Sequence, residues 1–199
     1  MAGQAPPARQ LFIAPSGEPF RAGADAAYPV AVWFDGADRD RDGRLTRAEF
    51  QADANRYFTL LDSNGNGQLD AAEVDAYEAG VLAPLSQRRS AGGPLPPGTA
   101  GATGAGGPPP TGSRIARRPG GREAGLPPGA GLYGLINSPH PVKAADRDMN
   151  SRVDKAEWAR TLSDRFAMLD GAKLGYLQLE ALPKTPAQQR LADASASRR

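Results

Sequence analysis

Four short stretches rich in Asp, Asn and Gly carry the side chains that could do chemistry, and that chemistry is the binding of a hard divalent cation. The first places Asp38, Asp40 and Asp42 at positions 1, 3 and 5 of a twelve-residue run, with Gly43 at 6, the carbonyl of Arg44 at 7, Thr46 at 9 and Glu49 at 12. The second repeats the pattern with Asp62, Asn64, Asn66, Gly67, the Gln68 carbonyl, Asp70 and Glu73. The third has Asp146, Asp148, Asn150, Ser151, the Arg152 carbonyl, Asp154 and Glu157. Calcium takes about 6–8 oxygen ligands at about 2.3–2.6 Å, and each of these runs offers enough oxygens for one ion. Position 6 needs a left-handed backbone, which glycine adopts freely. Ser151 must hold it at a cost of about 1–2 kcal/mol, which weakens binding about tenfold or somewhat more.

The fourth run, Asp170 to Ala181, keeps Gly175 and Leu177 at positions 6 and 8. Ala172, Leu174 and Ala181 stand at positions 3, 5 and 12, and Glu180 falls one residue short of the bidentate place. This loop is expected to bind no calcium and to pair structurally with the third.

Helices must hold these loops. Val30, Trp33, Phe34 and Ala37 follow the i, i+3, i+4, i+7 spacing of a buried helix face, and Ala54, Tyr57, Phe58 and Leu61 repeat it. Leu162, Phe166 and Leu169 form a later stripe. Pro139 and Pro141 leave room for only a short helix before the third loop. Trp33, Phe58 and Trp158 are read as core. Thr185-Pro186 predicts an N-cap and first helical position for a short helix through Leu191. Ahead of the first helix, Leu11-Phe12-Ile13 predicts a short strand or extended arm whose aromatics (Phe12, Phe20, Tyr28) pack on a neighbouring domain.

A shift of 108 residues lays Asp38 on Asp146, Glu49 on Glu157, Phe50 on Trp158 and Phe58 on Phe166. Within each half the two loops begin 24 residues apart. The halves are therefore copies of one two-loop unit.

Between them, residues 91–130 hold 12 Gly and 9 Pro, too few apolar side chains to offset the entropy of ordering. A disordered linker is expected there. It is basic: from Ser86 to Pro128 the charges are Arg88, Arg89, Arg114, Arg117, Arg118 and Arg122 against Glu123. No aromatic interleaving supports specific nucleic-acid binding. Cysteine is absent, which excludes disulfide scaffolds, thiolate zinc sites and cysteine nucleophiles. No apolar run reaches the ~18 residues of a membrane span. The first residues lack the apolar core of a signal peptide, so they are either a true start or the start left by signal removal. His140, the sole histidine, is read as an exposed loop residue.

Together the loops resemble those of the EF-hand family, the calmodulin-like helix–loop–helix calcium binders, over roughly residues 30–82 and 138–182. The arrangement is also similar to uncharacterised bacterial EF-hand proteins. Dockerin-like loops share the ligand pattern but usually lack the entering helix that Val30, Trp33 and Phe34 supply. The resemblance implies an all-α fold with short loop-to-loop β bridges and no catalytic activity. The expected organisation is an irregular arm (1–29), one EF-hand pair (30–83), the basic Gly/Pro linker (84–131), a second pair with its second loop degenerate (132–183), and a tail (184–199). Two or three calcium ions are expected, with magnesium able to compete at some sites. A calcium buffer or narrow-specificity sensor is the first functional expectation, since three methionines are too few for a Met-rich groove. A calcium-braced adaptor outside the cytoplasm is the alternative. A periplasmic or secreted place is favoured over the cytoplasm, and the protein partner is unspecified by the sequence. No nucleophile–base pair or phosphate loop argues for an enzyme.

Overall fold

The computed structural model describes residues 10–23, 25–82 and 129–196. The expected linker lies outside them apart from its last residues, which open a 3-10 turn, Gly129–Leu132.

The first described element is a hairpin. Strand β1 (Gln10–Ile13) pairs antiparallel with β2 (Pro19–Ala22), Phe12 opposite Phe20. Helix α1 (Val30–Ala37) leads into the first loop. The two-residue strand β3 (Leu45–Thr46) is followed by α2 (Arg47–Leu61), then by the second loop with β4 (Gln68–Leu69) and α3 (Ala71–Tyr77). A π-helical turn, Glu78–Leu82, continues α3. In the second half a three-residue 3-10 turn, Lys143–Ala145, precedes the third loop, as the prolines predict. Strand β5 (Val153–Asp154), α4 (Lys155–Leu169), β6 (Tyr176–Leu177) and α5 (Pro186–Ala196) complete the fold. Among the described residues no helix is long and apolar enough to cross a membrane.

The loop pairing differs from the expectation. Two loop pairs exist, but each takes one loop from each half. Leu45 of the first loop pairs with Leu177 of the fourth, and Leu69 of the second with Val153 of the third. The expected pairing of third with fourth is thereby corrected. Its cause is the 24-residue loop spacing. Only one helix fits between successive loops, and α2 and α4 each have 15 residues. At 1.5 Å per residue such a helix holds its two loops about 22 Å apart, too far to pair. The loops instead find partners on the other half, so α2 and α4 pack antiparallel with a loop pair at each end.

Repeat-related rings meet across that helix pair. Phe50 lies 5.4 Å from Phe166, and Phe58 lies 5.5 Å from Trp158, centroid to centroid. The Trp158 indole N–H donates to the Ala54 carbonyl at 3.2 Å. Both halves thus share one hydrophobic core. Trp33, Phe58 and Trp158 are all buried in it, as the sequence predicts.

The N-terminal hairpin covers one side of this core. Phe12 is fully buried, with Trp33 at 5.6 Å, Phe20 at 6.3 Å and Tyr28 at 6.4 Å. Its turn has Gly17 at φ 96, where an added Cβ would press on the Tyr77 hydroxyl at 3.0 Å. That hydroxyl donates to the Gly17 carbonyl. Buried Arg165 donates to the carbonyls of Pro15 (2.6 Å) and Pro141 (2.7 Å), tying hairpin, third-loop entrance and α4 together. Burial pushes its guanidinium down to about 10. At the other terminus Thr185 caps α5 by accepting from Gln188 N–H, and its hydroxyl meets Tyr28 at 2.7 Å. The cap falls where the sequence places it, and the helix runs on past Leu191 to Ala196.

Candidate metal centres

Every loop is shaped by its first aspartate. In the second loop Asp62 accepts from the amides of Asn66 (3.0 Å) and Gly67 (2.8 Å). Asp146 accepts likewise from Asn150 (3.1 Å) and Ser151 (3.0 Å), and Asp170 from Leu174 and Gly175, both at 2.8 Å. Charge-assisted bonds of this kind are among the stronger ones in proteins. They bend the chain so that residues 4 and 6 of each loop become left-handed. At position 6 the φ angles are 78 (Gly43), 80 (Gly67), 65 (Ser151) and 81 (Gly175). At position 4 they are 59 (Arg41), 70 (Gly65), 61 (Met149) and 54 (Lys173). The expected strain at Ser151 is present. Position 4 was not foreseen, and its only sequence signal is Gly65.

The residue at position 12 closes each of the first three loops. Glu49 accepts from the amides of Arg39 and Thr46, both at 3.0 Å. Glu73 accepts from Ser63 N–H (2.8 Å) and Asp70 N–H (3.0 Å). Glu157 accepts from the Arg147 and Asp154 amides, both at 3.0 Å. Thr46, Asp70 and Asp154 at position 9 also cap the following helix, each forming a reciprocal capping box with its glutamate. The bond from the Thr46 hydroxyl, followed by backbone amides, holds Glu49 below the usual carboxylate range. Asp40 lies above it: the Asp42 amide pulls it down, but desolvation and repulsion from Asp42 and Glu49 outweigh that.

These contacts leave oxygens to spare. Ligand oxygens of Asp38, Asp40 and Asp42 lie within 4.8 Å of one another, as do those of Asp146, Asp148 and Glu157. Asp38 departs from the other first aspartates. Its Oδ2 accepts from Gly43 N–H at 2.9 Å, but its Oδ1 is buried with no hydrogen-bond partner. A buried acceptor without a partner is costly. A cation among these three carboxylates would satisfy it. All the side-chain donors here are hard oxygens, the set that suits calcium.

A family model described as EF hand matches residues 30–52. This segment is an EF hand. No curated protein and no solved structure matches the chain. The second and third loops share the EF-hand turn and glutamate closure, and the fourth keeps only the turn.

One expectation fails here. His140 is not an exposed loop residue: its side chain is only 18% accessible. Its Nε2 sits 2.9 Å from Glu78, its Nδ1 accepts from Lys143 N–H at 3.0 Å, and its ring packs 5.6 Å from Tyr77. The Lys143 ammonium also contacts Glu78. Residues far apart in sequence form this cluster, so no local signal pointed to it.

Proposed function

We propose that the chain binds calcium, one ion in each of its first three loops, and that the fourth loop is a structural partner. In the first loop the ligands would be Asp38, Asp40, Asp42, the Arg44 carbonyl, Thr46 (directly or through water) and Glu49. In the second they would be Asp62, Asn64, Asn66, the Gln68 carbonyl, Asp70 and Glu73, and in the third Asp146, Asp148, Asn150, the Arg152 carbonyl, Asp154 and Glu157. The observation that carries this reading is the buried, unpartnered Asp38 Oδ1 within a cluster of three carboxylates. Bound calcium would neutralise the like charges that each loop gathers, and mass action would then stabilise the fold.

A buffer or a narrow-specificity sensor fits better than a groove-opening sensor. The hairpin already buries Phe12 against Trp33 of α1, the helix that enters the first loop, so that helix is covered on one side. The same burial also suits a calcium-braced structural protein. Affinity separates these roles: about 10⁻⁷–10⁻⁵ M favours sensing, and about 10⁻⁴–10⁻³ M a brace. Calorimetric titration of the full chain with calcium, and with magnesium as competitor, tests the reading. Three calcium sites and a higher melting temperature in calcium are expected. No uptake, with identical melts in calcium and chelator, would overturn it.

A further inference from the structure

The second loop carries two asparagine–glycine pairs in a row, Asn64-Gly65 and Asn66-Gly67. The backbone nitrogen that follows an asparagine can attack the side-chain amide carbon. Glycine leaves that approach unshielded, because it has no Cβ. The attack needs a free N–H, since a hydrogen bond holds the proton on and aims the nitrogen elsewhere.

The chain has five asparagines, and the structure sorts them by the amide that follows. Arg56, after Asn55, lies inside α2. Ser138, after Asn137, donates to the Ile136 carbonyl at 2.8 Å. Ser151, after Asn150, donates to Asp146 at 3.0 Å, and Gly67, after Asn66, donates to Asp62 at 2.8 Å. A carboxylate beside an N–H makes its proton harder still to remove. Only Gly65, after Asn64, has an amide without a hydrogen bond among the described residues. Asn64 and Gly65 are both exposed, and a Cβ added at Gly65 would meet nothing within 4 Å. The Asn64 side chain is held by two surface bonds: its Oδ1 accepts from Asn66 N–H at 2.9 Å, and its Nδ2 donates to Asp70 at 3.2 Å. Exchanging such bonds for water costs little.

We propose that Asn64 is a site of spontaneous deamidation, selected over Asn66 by the free amide of Gly65. A base takes the Gly65 amide proton, and the nitrogen bonds to the Asn64 Cγ. The Cγ–Nδ2 bond breaks, and Nδ2 takes up a proton and leaves as ammonia. Water then opens the five-membered imide. Cleavage at Cγ gives aspartate, and cleavage at the main-chain carbonyl gives isoaspartate. The net change is one water consumed and one ammonia released.

The two products act in opposite directions. Aspartate at 64 gives the second loop the third loop's ligand types: Asp, Asp, Asn, a carbonyl, Asp and Glu at positions 1, 3, 5, 7, 9 and 12. Isoaspartate adds a carbon to the main chain between Asp62 and the Asn66 and Gly67 amides that Asp62 holds, which dismantles the turn. A bound ion would hold the Asn64 oxygen and slow the attack. These consequences for calcium rest on the reading above; the deamidation itself does not.

Full-length protein, aged in chelator at neutral pH and mapped by mass spectrometry, tests the proposal. Asn64 should lose ammonia about tenfold or more faster than Asn66, the rate equivalent of one charge-assisted hydrogen bond. Asn55, Asn137 and Asn150 should stay intact. In denaturant the rates at Asn64 and Asn66 should converge, because the fold sets the difference. Gly65→Met, which copies Met149 at the same left-handed position of the third loop, should suppress the loss at Asn64. Saturating calcium should slow it about tenfold or more. In calorimetry, Asn64→Asp should tighten the second-loop site by about tenfold. Equal rates at Asn64 and Asn66 in the folded protein, or an intact Asn64 under conditions that convert both in denaturant, would overturn the proposal and leave calcium binding untouched. Selective loss at Asn64 in a protein that takes up no calcium would uphold the modification site and overturn the calcium reading.

Discussion

The two ends of the α2–α4 pair are built from the same parts and differ in what those parts retain. At one end the second and third loops meet with both ligand sets complete. At the other the first loop, also complete, meets a fourth loop stripped of three ligand positions. The β bridges are nonetheless alike, Leu69 with Val153 and Leu45 with Leu177, and all four leucine and valine side chains are buried. Asp170 bends the fourth loop by the same two amide bonds that Asp62 and Asp146 make. Loop shape thus comes from one aspartate and a left-handed turn. On the proposed calcium reading, ion binding is a separate property, added by positions 3, 5 and 12.

If the ends are mechanically equivalent, removing a ring should cost each about the same. Trp158→Ala at one end should lower stability by about 3–5 kcal/mol, the usual cost of deleting a large buried ring. Phe50→Ala at the other should fall in the same range. Denaturant midpoints in chelator measure both. A large excess at Trp158 would locate the extra cost in its hydrogen bond to Ala54, the one feature without a counterpart among the described contacts of Phe50.

The next largest effect concerns the lapsed loop. Asp170→Ala leaves the Leu174 and Gly175 amides without their acceptor. Both are near the surface, so the expected loss of stability is about 1–2 kcal/mol, with the number of bound calcium ions unchanged. A drop of one ion in calorimetry would show that the fourth loop binds after all.

A smaller effect separates the loops by backbone strain. The second loop has glycine at both left-handed positions, the first only at position 6, and the third at neither, since Met149 and Ser151 stand there. Relief of about 1 kcal/mol by Ser151→Gly should tighten calcium binding about fivefold to tenfold. Gly67→Ser in the second loop should weaken it by a similar factor. Equal affinities before and after either change would mean that position 6 strain is relieved elsewhere in the loop.

Much of this comparison is legible in the sequence. The ligand spacing, the left-handed Ser151, the aromatic faces and the Thr185 cap all depend on residues within a turn or two of one another. The crossed pairing is legible too, but only through geometry. Loops 24 residues apart have one helix between them, and a straight helix cannot bring its own ends together. What the sequence does not display is the set of contacts made over long separations. Arg165 reaches Pro15, and Glu78 reaches His140 and Lys143. None of these residues has a periodic or motif context of its own.

The same cluster gives the smallest difference between the ends, a dependence on acidity. Burial holds His140 below its ordinary value of 6.5, outweighing the opposing pull of Glu78. The folded protein therefore takes up this proton less readily than the unfolded chain. Stability from the neutral ring is intact above about pH 6.5 and declines as pH falls from there towards the depressed folded value, below which the decline stops. Glu78 is itself held low, by Lys143 and then His140, so it stays charged through that window and its own loss comes at lower pH. Melting temperatures in chelator should fall shallowly as pH drops below about 6.5, and His140→Gln should flatten that limb. The end that pairs the first and fourth loops contains no histidine. Protection factors in hydrogen exchange, which correct for the slower intrinsic exchange at lower pH, should accordingly fall at Leu69 and Val153 before they do at Leu45 and Leu177. Simultaneous loosening of both bridges would mean that the α2–α4 core transmits the strain from one end to the other.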